Sequence, residues 1–331
     1  FKLCDGKCPM LDDNGLCEIH KNLGEDYLGV VCKQFPRYSE YYGTIKESGI
    51  GLACEEAARI ILSENRPFSM ETAACDEEYE PSSEYDSSFA LQIFAAREAV
   101  FKILAKESLS IHEKLIVILD MGSKIQQCIN TDEYDNIKSV VNDYLKEGIA
   151  HTLDETRNLS DSGQFEDISL QQGIRQILYP YEEMEVLNPE WEVILKDIID
   201  SLFEQMSDEE YNILNEEFGT YMVSRAYEYR QLLEYFVFRY FAKSIYDYDF
   251  LGKCQMLVTN FFVIRQMDII RWLDNHREYS FKDRMDVVHI FSRQVEYSED
   301  NIENLYEDFI FDDIFKTDSL IAILWIDSEN I

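Results

Sequence analysis

The sequence predicts a mainly α-helical protein, a multi-helix domain with a small loop-rich, cysteine-bearing subdomain at its N-terminal end. Three observations lead to this prediction. Apolar residues recur at helical spacing from residue 89 onwards, five of the eight cysteines fall within residues 1–62, and no series of segments alternates apolar and polar residues as strands do. We therefore expect a cysteine-rich subdomain over residues 1–74 and an α-helical domain over residues 75–331.

The cysteine-rich part is predicted to contain short elements separated by turns. The Asp-Asp-Asn-Gly run at residues 12–15 is a strong turn signal, and Tyr-Tyr-Gly-Thr-Ile at residues 41–45 is a weak strand signal. Residues 54–62 are predicted to form a short helix, because they are rich in good helix formers. The predicted apolar face of this helix consists of Ala57, Ile60 and Ile61.

An acidic, proline-containing segment over residues 75–88 is predicted to be a linker that ends in a helix N-cap at Ser87 or Ser88. The next helix has a continuous apolar face. Its predicted members are Phe89, Ile93, Ala96, Val100, Ile103 and Leu104. Ser110 and Glu113 have the spacing of a capping box, in which each residue bonds the backbone N–H of the other, so a second helix is predicted to begin there.

Helical signals are dense in the second half of the chain. A polar region over residues 152–172 breaks the pattern first. Asn188 followed by Pro189 predicts a helix start, because proline fits the first helical position. Ser207 and Glu210 form another capping-box pattern.

The formal net charge of −35 limits the classes of partner. Residues 1–62 carry 7 basic and 10 acidic residues, so nearly all the excess acidity lies further along the chain. An anionic surface repels phosphate backbones and anionic lipids, so we expect no nucleic-acid and no membrane partner. A lysine-bearing protein would be attracted. The alternative is that the charge serves only solubility.

Signals for export and for several common activities are absent from the sequence. The first ten residues lack the basic and apolar regions of a signal peptide, so we expect a cytoplasmic location. No His-x-x-x-His pair, P-loop or Gly-x-Ser-x-Gly pattern occurs. Gly49 and Gly51 precede a helix, but without a clear preceding strand they do not predict a nucleotide-binding loop.

The N-terminal cysteines are the strongest chemical signal. Cytosolic thiols stay reduced, so clustered cysteines there bind metal more often than they form disulfides. Cys8, Cys17, Cys32 and Cys54 are irregularly spaced and contain no Cys-x-x-Cys pair. Four such thiolates suit an iron–sulfur cluster or a tetrahedral zinc ion, and the third possibility is that they are inert packed thiols. Cys4 is a fifth cysteine nearby. The remaining cysteines, Cys75, Cys128 and Cys254, are expected only to pack.

The same segment resembles the cysteine region of the flagellin lysine-N-methylase family. The family pattern contains Cys-Pro-Phe-Leu, Asn-Gly-Leu-Cys-x-Ile, Leu-Gly-x-x-Tyr-Leu, Cys-x-x-Tyr-Pro-Arg and Ser-Cys-Pro-Glu-Ala-Ala-Arg. Similar segments lie, in the same order, at residues 8–11, 14–19, 23–28, 32–37 and 53–59. Glu55 replaces the proline after the last cysteine. A weaker likeness covers residues 289–305, where Arg293 matches and Tyr297 stands in place of a family histidine.

This resemblance implies transfer of methyl groups from S-adenosylmethionine to lysine side chains of flagellin or a similar protein. It also implies a 4Fe–4S cluster, with zinc as the alternative, bound by Cys8, Cys17, Cys32 and Cys54. The alternative function is a non-catalytic, metal-stabilised helical module that binds other proteins. Catalytic residues are not identified.

Lysine methylation needs a neutral amine, which a nearby carboxylate or tyrosine can help to provide. Glu56, Glu296 and Tyr297 are candidates for this role, although each is more typical of a structural residue. We expect Arg37, Arg59 or Arg293 to hold them. The tyrosine-rich stretch at residues 227–248 could line a channel for lysine, but aromatic residues at helical spacing are more typical of a core.

Overall fold

The computed structural model describes residues 8–74 and 86–329. Within these ranges the protein is built mainly of α-helices, and its one sheet has two strands. The predicted fold class is therefore confirmed for the described residues. No helix there is long and apolar enough to cross a membrane.

The N-terminal part is a string of short helices followed by a β-hairpin. Its elements are α1 (Glu18–Leu23), α2 (Val30–Gln34), β1 (Arg37–Tyr42), β2 (Ile45–Ile50) and α3 (Glu55–Leu62). The strands pair antiparallel, and Gly43 turns the chain between them with a φ of 60°. The weak strand signal at residues 41–45 therefore falls on the tip of this hairpin, where Tyr41 and Tyr42 end β1, residues 43 and 44 form the turn and Ile45 begins β2.

The helices that follow form the body of the molecule. They are α4 (Ser87–Leu104), α5 (Ile111–Asn130), α6 (Ile137–Asp143), α7 (Ile149–Asp161), α8 (Leu170–Glu182), α9 (Pro189–Ile198), α10 (Asp208–Met222), α11 (Ala226–Tyr240), α12 (Ser244–Asp247), α13 (Phe250–Asp274), α14 (Phe281–Val295), α15 (Glu299–Phe311) and α16 (Thr317–Glu329).

Most of the helix starts predicted from side-chain capping are confirmed. Both capping boxes are present, and Asn188 accepts a hydrogen bond from the N–H of Glu190 at 3.3 Å. The N-cap of α4 is Asp86 rather than Ser87 or Ser88, and its carboxylate accepts from two N–H groups of the first turn. An ionised carboxylate is also favoured there by the helix dipole. The linker predicted before it lies largely outside the described residues.

Two further predictions about helices need correction. The polar region at residues 152–172 is only partly a break, because α7 continues to Asp161 and α8 begins at Leu170. On α3, Ile60 is 41% exposed, whereas Ala58 and Leu62 are fully buried, so the apolar face is rotated from the predicted one. The predicted apolar face of α4 is buried throughout.

The core is arranged around α13, which packs against α5, α9, α11 and α14. Helix α13 is buried on nearly all sides and carries charged residues into the core. Arg265 contacts Asp327 at 3.2 Å. Arg284 on α14 contacts Asp268 of α13 at 2.6 Å. Buried charges are tolerated only when paired in this way.

The hairpin and α3 are attached to the body by polar contacts and by packing. Helix α3 contacts α11 and α14. Arg97 of α4 donates to both carboxylate oxygens of Glu47 in β2. Arg230 of α11 donates to Asn65 at 2.8 Å, just after α3. The cysteine-bearing part therefore lies directly on α11 and α14, and the candidate site is at this junction.

Candidate functional site

Glu296, the C-cap residue of α14, is the centre of a buried polar network. Its carboxylate accepts hydrogen bonds from the hydroxyls of Tyr235 at 3.0 Å, Tyr240 at 2.8 Å and Ser292 at 2.5 Å. Arg239 of α11 lies 3.1 Å from the same carboxylate. These four side chains satisfy both carboxylate oxygens. The arrangement fixes α11 against the end of α14.

The hairpin joins this network through Tyr38 of β1. The guanidinium of Arg239 lies over the Tyr38 ring, 4.3 Å from its centroid, in a cation–π contact. Gly49 of β2 is opposite Tyr38, and a Cβ at that position would lie 2.6 Å from the tyrosine oxygen. A side chain at Gly49 would therefore push Tyr38 away from Arg239. Burial raises the pKa of Tyr38, so its hydroxyl keeps its proton at neutral pH.

The segment just before α3 also contacts the network around Glu296. The N–H of Leu52 points to the Tyr235 hydroxyl at 3.4 Å. Tyr297, which follows Glu296 in the chain, packs its ring against Phe35 with ring centroids 6.4 Å apart. Burial raises the pKa of Tyr297, and the nearby Glu296 carboxylate adds to the shift while Arg239 opposes it, so this tyrosine also stays protonated. A tyrosine in this state is a proton donor rather than a base.

The four predicted ligand cysteines lie on different elements of the N-terminal part. Cys8 and Cys17 flank the turn at residues 12–15, where the N–H of Glu18 donates to the carbonyl of Met10 at 2.8 Å. Cys32 lies on α2 and is exposed, and Cys54 is the N-cap residue of α3. The chain segments after Cys32 and before Cys54 meet, since the N–H of Gly51 donates to the carbonyl of Pro36 at 2.8 Å.

Cysteine thiols are suitable ligands for an iron–sulfur cluster or zinc, but these four are not arranged as a metal site. All four are free, and none is fully buried. In residues 8–74 and 86–329, no group of three or more His, Cys, Asp or Glu side chains is placed to hold a metal ion. Binding by all four would therefore require these cysteine-bearing segments to rearrange. Cys4 and Cys75 lie outside the described residues.

The segment that carries the first three cysteines has little hydrophobic core. Helices α1 and α2 bury none of their residues. Its exposed apolar side chains include Leu16, Leu23, Tyr27, Val30 and Val31, with exposed fractions of 59–78%. A segment with so little burial gains little stability from its own packing. A metal, as in small metal-folded domains, or a binding partner would add to its stability.

A cleft of about 290 Å³ lies between the hairpin, the irregular segment of residues 66–69 and α11. We call it the junction cleft. Its walls include the side chains of Tyr38, Arg66, Phe68, Gln231, Glu234 and Phe238. A neighbouring cavity of about 640 Å³ shares the Phe68 and Phe238 walls and extends along β2.

Two buried polar groups of α11 line the junction cleft. The amide nitrogen of Gln231 donates to the carbonyl of Glu64 at 2.5 Å. Its amide oxygen, in a side chain 95% buried, has no hydrogen-bond partner among the described residues. Glu234 accepts from Arg230 at 2.8 Å. Burial raises the pKa of Glu234, although Arg230 and Lys114 oppose the shift.

A second, more polar cavity of about 580 Å³ lies between α9 and α14, next to the start of α3. It is lined by Glu55, Asp286, His289 and Arg293. The Nδ1 atom of His289 is buried without a hydrogen-bond partner among the described residues. This cavity brings the residue after Cys54 next to the C-terminal segment that matched the family pattern.

The candidates for assisting deprotonation have different environments. Glu56 is exposed and pairs with Arg59 at 2.7 Å, as expected. Glu296 is not held by Arg37, Arg59 or Arg293, because its partner is Arg239. Tyr235 and Arg239 were not predicted as members of this network. Their spacing of four residues places them on one face of a helix, and this was the available signal.

Comparisons with known proteins identify the family to which this chain is similar. Residues 97–323 match the family model described as the FliB lysine N-methylase C-terminal domain. The chain is 37% identical over 59 residues, 18% of its length, to the flagellar biosynthetic protein FliU of Salmonella muenchen and to lysine-N-methylases of Salmonella typhimurium and Salmonella choleraesuis.

These matches cover 35% of the first relative and 15% of each of the other two, so the chain matches only a part of their length. No solved structure matches the chain. The family model spans more than half of the 331 residues, and it includes α11, α14 and the buried network between them. The chain therefore belongs to the FliB lysine N-methylase family.

Proposed function

We propose that this protein methylates lysine side chains of flagellin or a similar lysine-bearing protein in the cytoplasm, with S-adenosylmethionine as methyl donor. The observation that carries the proposal is the family match over residues 97–323. The relative named as a flagellar biosynthetic protein supports a flagellar substrate. The net charge of −35 supports attraction of a lysine-rich surface.

The donor supplies an electrophilic methyl group on a sulfonium. The neutral lysine nitrogen forms a bond to the methyl carbon, the carbon–sulfur bond breaks with its electron pair going to sulfur, and the nitrogen then releases a proton. The chain's own groups must orient the amine and accept that proton.

Glu296 is a positioning residue in this proposal. Three hydroxyls and a guanidinium already occupy its carboxylate, so no lone pair is left facing a substrate amine. Its effect is to hold Tyr235, Arg239 and the start of α3 in one arrangement. Tyr297 and Tyr38 keep their protons at neutral pH and can donate hydrogen bonds.

We further propose that Cys8, Cys17, Cys32 and Cys54 hold a 4Fe–4S cluster, or zinc in its place, in the full-length protein. The support is their free thiols and the family resemblance. The poorly buried helices α1 and α2 are consistent with a segment that metal binding orders.

The alternative is a non-catalytic, metal-stabilised module that binds other proteins. The exposed apolar side chains of residues 16–31 favour it, because contiguous exposed apolar surface marks interaction sites.

The test uses full-length protein purified without oxygen, flagellin and donor with an isotopically labelled methyl group. Mass spectrometry of the flagellin lysines should find labelled methyl groups, and none should form when the donor is omitted. Flagellin that binds the intact protein but gains no label would favour the binding module. Neither binding nor label would remove flagellin as the substrate.

A further inference from the structure

We propose that the junction cleft is the binding site for the adenosyl part of the methyl donor. This inference rests on the proposed function, because it assigns a place to the donor. The cleft combines aromatic walls, a buried hydrogen-bond acceptor without a partner, a buried carboxylate and a guanidinium. An adenosyl sulfonium with an amino-acid tail has groups complementary to each of these.

The first argument is the unpartnered amide oxygen of Gln231. The side chain is 95% buried, and its nitrogen is already engaged by Glu64 at 2.5 Å, so the amide cannot rotate freely to satisfy its oxygen elsewhere. A buried acceptor without a partner costs free energy, so a ligand donor that reaches it would gain affinity. The exocyclic amino group of adenine is a donor that could satisfy it.

The aromatic walls supply the second argument. Phe68 is stacked on Phe101 with centroids 4.2 Å apart and planes 7° apart, and Phe238 is 5.8 Å from Phe68. Tyr38 is fixed by Arg239 on one side. These rings are held by their own neighbours, so a planar base can pack against them without first ordering the wall.

The charged groups of the cleft match the rest of the donor. Glu234 is 3% exposed and can accept hydrogen bonds from ribose hydroxyls or from an ammonium group. Arg66 donates to the carbonyl of Ile60 at 2.9 Å and presents its guanidinium to the cleft, where it could pair with a carboxylate. An arginine and a glutamate together favour a zwitterionic ligand over a simple cation.

Space and position agree with this assignment. The cleft volume of about 290 Å³ is near the lower limit for a small-molecule site, and the adjoining cavity of about 640 Å³ provides further room. Tyr235 lines the cleft and also donates to Glu296 at 3.0 Å. The cleft is thus connected to the network that joins the cysteine-bearing part to the family domain.

The experiment is calorimetric titration of full-length protein with S-adenosylhomocysteine, which binds without reacting. Gln231→Leu and Phe238→Ala should each weaken binding about tenfold or more, because each removes one class of contact. Gln176→Leu is the matched control, since Gln176 is exposed on α8 and lines a different cavity. It should bind like the wild type.

Hydrogen exchange of the wild type covers the case in which a variant fails to fold. S-adenosylhomocysteine should slow amide exchange in residues 64–69 and in α11. Unchanged affinity in both variants, or protection confined to other parts of the chain, would overturn the assignment while methylation of flagellin still stood. Binding of butylamine instead of S-adenosylhomocysteine, lost in the variants, would make the cleft a lysine site and also overturn it. A protein that binds no S-adenosylhomocysteine and methylates nothing would end both proposals.

Discussion

The hydroxyl of Tyr235 on α11 donates a 3.0 Å hydrogen bond to Glu296 at the end of α14, and the same hydroxyl is 3.4 Å from the N–H of Leu52. One tyrosine therefore joins two helices of the family domain to the start of α3. Side chains far apart in sequence depend on each other here, so changes at this point should affect both parts of the protein.

Glu296→Gln should destabilise the protein by about 3 kcal/mol, because it leaves the buried Arg239 guanidinium without its charged partner. Urea unfolding measures the change in free energy. Glu303→Gln is the matched control, since Glu303 is exposed on α15 and should change stability by less than about 0.5 kcal/mol. Equal stability of the two variants would mean that the Glu296 network contributes little.

Gly49→Ala should cost about 1–3 kcal/mol, because the added Cβ would lie 2.6 Å from the Tyr38 oxygen and force the ring away from Arg239. Gly29→Ala is the control. A Cβ at Gly29 meets nothing within 4 Å, and its φ of −63° suits alanine. Thermal unfolding compares the two variants. A Gly49→Ala protein as stable as Gly29→Ala would show that Tyr38 can move without cost.

Local signals in the sequence were sufficient for many of the helices. Ser110 with Glu113, and Ser207 with Glu210, mark helix starts because a cap depends only on residues within one turn. The buried face of α4 followed from spacing alone. Asp86 was missed as a cap because the neighbouring serines are equally good candidates by residue type.

The site was less accessible to sequence reasoning. Glu296 was a candidate, but its contacts with Tyr235 and Tyr240 join residues about sixty positions apart, and local patterns do not encode such pairs. Gln231 gave no signal, because an unpartnered amide oxygen becomes visible only when its surroundings are known. The cysteines were found by composition and resemblance, and their role as ligands stays a prediction.

Replacing Cys32 by serine in full-length protein purified without oxygen should lower metal content, because a cluster ligand is lost. The wild type should contain about four irons and four sulfides per chain, or one zinc. Cys128→Ser is the control, since Cys128 lies on α5, away from the N-terminal part. Iron, sulfide and zinc analyses of the wild type and of both variants measure the metal content. The same metal content in both variants would remove Cys32 from the ligand set.

Asp327→Asn should remove a stabilisation that is present at neutral pH and is lost at acidic pH. Asp327 is held by Arg265 at 3.2 Å, by His112 at 2.6 Å and by Asn215. Burial alone would raise its pKa, but Arg265 and His112 outweigh burial and lower the pKa from 3.8 to about 2. A carboxyl group whose pKa is lower in the folded state stabilises the fold above its unfolded pKa. That contribution is lost as the pH falls towards the folded pKa.

The expected contribution of this carboxylate is about 2 kcal/mol at neutral pH. Urea unfolding of wild type and Asp327→Asn between pH 2 and pH 6 measures it. The difference in unfolding free energy should be constant above the ordinary carboxyl pKa and should shrink from there down to about pH 2. Asp318→Asn, at an exposed position in the first turn of the same helix, controls for general charge effects. A difference that does not change with pH would mean that Asp327 is not held as an ion by Arg265 and His112.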